Sequence, residues 1–90
     1  MSALLITYDL NRPSQDYEAV HKAIKGLGGA WLHPLESTWI VTTTHTRSSA
    51  YDVLKPTFDS SDYFFVVDIT TSARQGWLKK TSWTWINENV

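Results

Sequence analysis

The sequence predicts an α+β fold in which four strands form one antiparallel sheet and two helices lie on one of its faces. Three observations predict it. Short β-branched and aromatic runs, "LLITY", "STWIVTTT" and "DYFFVVDIT", alternate with stretches whose apolar residues recur at helical spacing. Ninety residues suffice for one core and not for two, so these segments must pack together. Their order is strand, helix, strand, strand, helix, strand, and two right-handed crossovers of that kind interleave into a single sheet.

Residues 3–8 read as a buried strand with a turn cluster, Asn11-Arg12-Pro13, behind it. Ser14 is a good N-cap, and the helix it opens should run over about 15–27 with Tyr17, Val20, Ile24 and Leu27 on one stripe. Gly28-Gly29 ends it. "AWLHPLESTWIVTTT" reads as two strands, 30–34 and 37–44, joined tightly near Leu35-Glu36. Pro34 cannot donate to a ladder, which puts the first of them at an edge. A second helix should start at Ser48 or Ser49 and reach Phe58, with Ala50, Val53, Leu54 and Phe58 as its stripe and Pro56 as its flaw.

In the last strand Tyr63, Phe65, Val67 and Ile69 share one face, and Phe64 and Val66 the other. In the tail, Ser82 is expected to cap a short helix ending at Asn89. The spatial strand order would be 4-1-3-2, a ferredoxin-like βαββαβ arrangement in one domain over residues 1–90. It leaves the long apolar fourth strand at an edge, which a Trp-rich tail or a second chain has to cover. A homodimer is expected.

Composition removes several function classes. There is no cysteine, hence no disulfide framework, thiolate metal site or cysteine nucleophile. Eight Lys and Arg against nine Asp and Glu leave a net charge of −1, a poor start for gripping long duplex nucleic acid, where phosphate neutralisation dominates. No long apolar run, basic leader or lipidation signal appears, so a soluble, cytoplasmic chain without a membrane partner is expected. His21, His33 and His45 lack metal-ligand spacing and read as solvated. Trp77, Lys79, Lys80 and Trp83 resemble a stacking platform for single strands, although core or dimer burial is the commoner fate of Trp.

The candidate site follows from topology. The end of the first strand lies beside the starts of the third and fourth, so Asp9, Ser37 and Asp62 should gather on one rim, with Glu36 nearby. Hard oxygens of this kind can hold Mg²⁺, which keeps several waters and takes one or two carboxylates, and which could orient a phosphodiester. The bland alternative stands beside it: Asp is a common turn residue, and Asp62 can simply end a loop.

Three stretches, "LLITYDL", "LGGAWLHPLESTWIV" and "DYFFVVDI", resemble the small ferredoxin-fold subunit of CRISPR adaptation complexes and its stand-alone SinR-like relatives, and more distantly virulence-associated protein D. The likeness covers roughly residues 3–70. It implies a homodimer in which Asp9 of two chains approach each other, binding a divalent metal for phosphodiester cleavage. Ser37 and Asp62 match the family's serine opening the third strand and its aspartate before the fourth. The basic residues that follow the aspartate in many adaptation subunits are represented by Arg12 alone, which would contact phosphate. Two functions are therefore expected from different classes: a Mg²⁺-dependent endonuclease, acting on RNA rather than DNA, and a non-catalytic dimeric adaptor that holds a protein or nucleic-acid partner.

Overall fold

A computed structural model describes residues 1–10 and 17–90. The elements are β1 (Ser2–Asp9), α1 (Tyr17–Lys25), β2 (Trp31–Leu35), β3 (Thr38–Thr43), α2 (Arg47–Leu54), a single 3₁₀ turn (Lys55–Thr57), β4 (Tyr63–Asp68) and α3 (Lys80–Asn89). The strands form one antiparallel sheet in the order β2-β3-β1-β4. This is a small α+β domain consistent with a ferredoxin-like arrangement. The expected N-cap Ser14 and the phosphate contact Arg12 lie outside the described residues.

Period-two alternation sorts the sheet into two faces. Leu4, Ile6 and Tyr8 of β1 and Trp39 and Val41 of β3 point to the helix side, where Val20, Ile24, Leu27, Ala50 and Leu54 meet them in the core. Burying side chains of this size stabilises by about 1.5–3 kcal/mol each. Phe64 and Val66 of β4 pack against the same core, while Tyr63 and Phe65 face away and stay exposed.

Tyr17, Val20 and Ile24 keep the expected α1 stripe, but the helix stops at Lys25, two residues short, and Leu27 joins the core from the turn beyond it. Past its end, Gly28 and Gly29 take φ of 89° and 75°, the left-handed region that turns the chain into β2. Gly29 is required for a second reason: a Cβ there would stand 1.9 Å from the Thr42 carbonyl oxygen.

Two further helices depart from expectation. The second helix ends at Leu54, because Pro56 cannot continue it and instead opens the 3₁₀ turn. Thr46, not Ser48 or Ser49, is its N-cap: Thr46 Oγ1 accepts from Ser49 N–H, and Ser49 Oγ accepts from Thr46 N–H. Val53 then falls outside the stripe and is 43% exposed. The last helix starts at Lys80 from an extended Lys79, so Ser82 is buried inside its first turn rather than capping it.

The tail packs on the sheet of its own chain. It leaves β4 through a turn in which Thr71 adopts φ 57°. It then crosses the sheet face opposite α1 and α2, enclosing a cleft of about 450 Å³ among Leu5, Ile40, Ile69, Trp77, Trp83 and Ile86. Residues 72–78 and α3 thus roof the β2 side of that face and leave its β4 side bare, with Tyr63 at 72% and Phe65 at 62% exposure. The outer edge of β4 is not what the tail covers. None of the helices among the described residues is long and apolar enough to cross a membrane.

Candidate functional site

The predicted rim exists. Asp9 closes β1 and pairs with Tyr63 at the start of β4, and Tyr8 N–H donates to the Ser37 carbonyl at 3.1 Å. The end of β1 is therefore flanked by Ser37 on one side and by Asp62-Tyr63 on the other.

The two carboxylates differ in what they do there. Asp9 shares its sheet face with Leu5 and Thr7, is exposed, and its side chain has no hydrogen-bond partner among the described residues. It lines a shallow depression with Thr7, Tyr63 and Phe65. Asp62 is buried, and its Oδ2 accepts from Asp59 N–H at 2.8 Å while its own N–H donates to the Asp59 carbonyl at 3.0 Å. That reciprocal pair closes the loop leading into β4. Ser37 is half-buried and takes part through its backbone. Mg²⁺ usually takes one or two protein carboxylates, and the open carboxylate of Asp9 fits such a role, whereas Asp62 Oδ2 is engaged by its own loop. Among the described residues no group of three or more His, Cys, Asp or Glu gathers.

A second constellation on the same rim, facing the helices, escaped the sequence reading. Trp39 Nε1–H donates to the Tyr8 hydroxyl at 3.3 Å, and that hydroxyl lies 3.0 Å from His21 Nε2. His33 stacks on the Trp39 indole, its ring centroid 4.0 Å away and nearly parallel at 12°. The His21 and His33 rings are 5.3 Å apart, edge to face. His33 Nε2–H donates to the Glu36 carbonyl at 2.9 Å, an assignment forced by the carbonyl's being an acceptor only. Lys25 Nζ rests 4.7 Å from the Trp31 ring centroid.

Burial pushes the Tyr8 hydroxyl above its ordinary range, and Trp39 N–H acts against that. Burial also pushes His21 down, helped by His33 and Lys25. His33 is exposed, as its spacing led one to expect, yet both histidines also belong to an aromatic cluster, and His21 is half-buried in it. A clue was present in the hairpin: continuing the pairing of Leu32 with Ile40 sets His33 across from Trp39, before the register shifts ahead of Leu35. His45 is ordered too, its Nδ1 3.0 Å from Ser49 Oγ.

Trp77 and Trp83 of the supposed stacking platform both line the cleft under the tail, although Trp77 remains 98% exposed. Comparison with family models, with curated proteins and with solved structures finds no match to this chain. What the fold and rim define is a class: a small α+β domain presenting one open carboxylate at the end of a central strand. Beyond that class, function rests on the chemistry of the rim.

Proposed function

We propose that this chain is a ferredoxin-like domain that pairs with a second copy of itself and cleaves phosphodiesters with Mg²⁺, RNA in preference to duplex DNA, as its resemblance to the CRISPR-associated and SinR-like proteins implies. The observation that carries it is the exposed Asp9 carboxylate, without a hydrogen-bond partner among the described residues, beside the bare aromatic pair Tyr63 and Phe65. A second copy seated on those rings would bring its own Asp9 toward the first, supplying the two carboxylates that Mg²⁺ commonly takes from protein. Bound there, the ion would orient a phosphodiester and lower the pKa of a water. Asp9 holds, Asp62 keeps the β4 loop in place at the rim, and Arg12 and Ser37 are assigned to the substrate backbone. The net charge of −1 favours short single-stranded RNA over a long duplex.

The test is cleavage of labelled single-stranded RNA and duplex DNA by wild type and Asp9→Ala, purified in parallel, with Mg²⁺ or EDTA. Cleavage of the RNA that needs both the metal and Asp9 supports the proposal. No cleavage, or equal cleavage by both proteins, overturns it. A second reading is favoured by the Asp62 Oδ2 bond to its own loop, which withdraws that carboxylate from a shared metal site with Asp9. On that reading the dimer is an adaptor, the bare aromatic face seats a protein or nucleic-acid partner, and Asp9→Ala binds that partner as wild type does.

A further inference from the structure

We propose that His21 and His33 together form a two-imidazole site for a transition-metal dication such as Zn²⁺ or Ni²⁺, with water completing the coordination shell. The site is separate from the Asp9 carboxylate and independent of the function proposed above.

Geometry comes first. Two imidazoles on one tetrahedral zinc, each nitrogen about 2.0–2.1 Å from the ion, have ring centroids about 5 Å apart. The His21 and His33 rings stand 5.3 Å apart before any metal is added. Chain separation is no obstacle, because α1 and β2 deliver the two side chains to one spot from different sides.

The orientation of each ring supports the same assignment. A ligating histidine almost always has its other ring nitrogen hydrogen-bonded, which fixes the ring and its tautomer. His33 already has that arrangement: Nε2–H is given to the Glu36 carbonyl, which leaves the Nδ1 lone pair of the neutral ring available. His21 Nε2 faces the Tyr8 hydroxyl, and its Nδ1, like that of His33, has no hydrogen-bond partner among the described residues. On binding, His21 takes the tautomer whose Nε2–H donates to the Tyr8 oxygen.

Access and charge complete the case. His33 is exposed, and His21 lines an open surface pocket with Glu18, Lys22 and Lys25. Two lysines near a dication limit affinity, while Lys25 is drawn aside onto the Trp31 ring. A donor set of two neutral nitrogens, without thiolate or carboxylate, selects borderline metals over Mg²⁺ and orders them Ni²⁺ below Cu²⁺.

The experiment is calorimetric titration of the intact chain with Ni²⁺ and Zn²⁺, in wild type and in His33→Ala, His21→Ala, His45→Ala and Asp9→Ala. One saturable site with micromolar affinity is expected, weakened at least tenfold in His33→Ala and His21→Ala, unchanged in the other two variants, and indifferent to millimolar Mg²⁺. Because His21 touches the core, ¹⁵N spectra of the imidazoles in wild type supply a second readout: Zn²⁺ should shift Nδ1 of both rings while Nε2 stays protonated. No saturable binding, binding unchanged in His33→Ala, or loss of binding in Asp9→Ala instead, would overturn the assignment. The outcome is separable from nuclease activity, since neither the probe metals nor the readout involves RNA.

Discussion

Replacing Gly29 with alanine is the sharpest perturbation the fold offers, because its neighbour supplies an internal control. Both Gly28 and Gly29 are left-handed, with φ of 89° and 75°, and each would carry the conformational penalty of an L-residue there, about 1–2 kcal/mol. They differ in surroundings. An added Cβ at Gly28 meets nothing within 4 Å, whereas at Gly29 it would sit 1.9 Å from the Thr42 carbonyl oxygen and 2.9 Å from its carbon. Neither contact can be relieved by a side chain swinging away, so β2 must retreat from β3. That retreat weakens the bonds joining Ala30 to Thr42, at 2.9 Å from Thr42 N–H and 3.0 Å from Ala30 N–H. Two such hydrogen bonds add about 1–3 kcal/mol, giving a total of about 2–5 kcal/mol. A domain of this length has only about 5–13 kcal/mol to lose.

The assay is urea unfolding of wild type, Gly28→Ala and Gly29→Ala, with thermal melts alongside. Gly28→Ala should lower the melting temperature by several degrees, and Gly29→Ala by about 20 °C, at roughly 4–8 °C per kcal/mol for a domain of this size. Variants that unfold at the same urea midpoint would refute the close approach of Gly29 to β3 and leave backbone conformation as the whole effect.

Three further outcomes follow from side-chain partners. Tyr8→Phe removes the acceptor of the Trp39 indole N–H and the partner of His21, and should cost about 1–3 kcal/mol by urea midpoint at unchanged slope, because the orphaned indole is buried. Thr43→Val should cost a similar amount, about 1–3 kcal/mol, since the fully buried Thr43 hydroxyl donates to the Leu27 carbonyl at 2.7 Å and accepts from His45 N–H at 3.1 Å. Asp68 Oδ1 accepts from both the hydroxyl and the N–H of Thr70, which hold its carboxyl below the ordinary carboxylate range. The unfolded chain thus binds this proton at higher pH than the folded one, so the stability is present above about pH 4 and fades as pH falls further. Asp68→Asn should flatten that acid limb in denaturation midpoints measured across pH 2–5.

Much of the architecture was legible because strand and helix periods are local properties. Alternation placed Tyr63 and Phe65 away from Phe64 and Val66, and Pro34 marked β2 as an edge. Asp9, Ser37 and Asp62 came to one rim because antiparallel topology allows nothing else. What escaped depended on contacts between distant segments. Val53 fits a helical stripe on paper, but α2 stops one residue later and the stripe has no further turn to continue on. Ser82 looks like a cap, yet the cap position falls at Lys79, three residues earlier. The roles of the two carboxylates were hidden for a similar reason: the Asp62 bond to Asp59 belongs to a turn whose conformation no spacing reveals. His21 and His33 sit 12 positions apart in the chain, and only the seating of α1 over β2 and β3 makes them neighbours.

The two outer strands of the sheet are unequal, and this limits how large any assembly can grow. β2 carries a proline and an irregular register between Leu32 and Leu35, so its outer margin cannot template another strand. β4 has neither defect and stands beside the bare aromatic patch. A subunit with one adhesive side and one inert side can satisfy itself by a two-fold rotation, and once it has done so no adhesive side remains. For the homodimer proposed above, the same asymmetry would stop assembly at two and keep a sheet-rich chain of net charge −1 from growing into filaments.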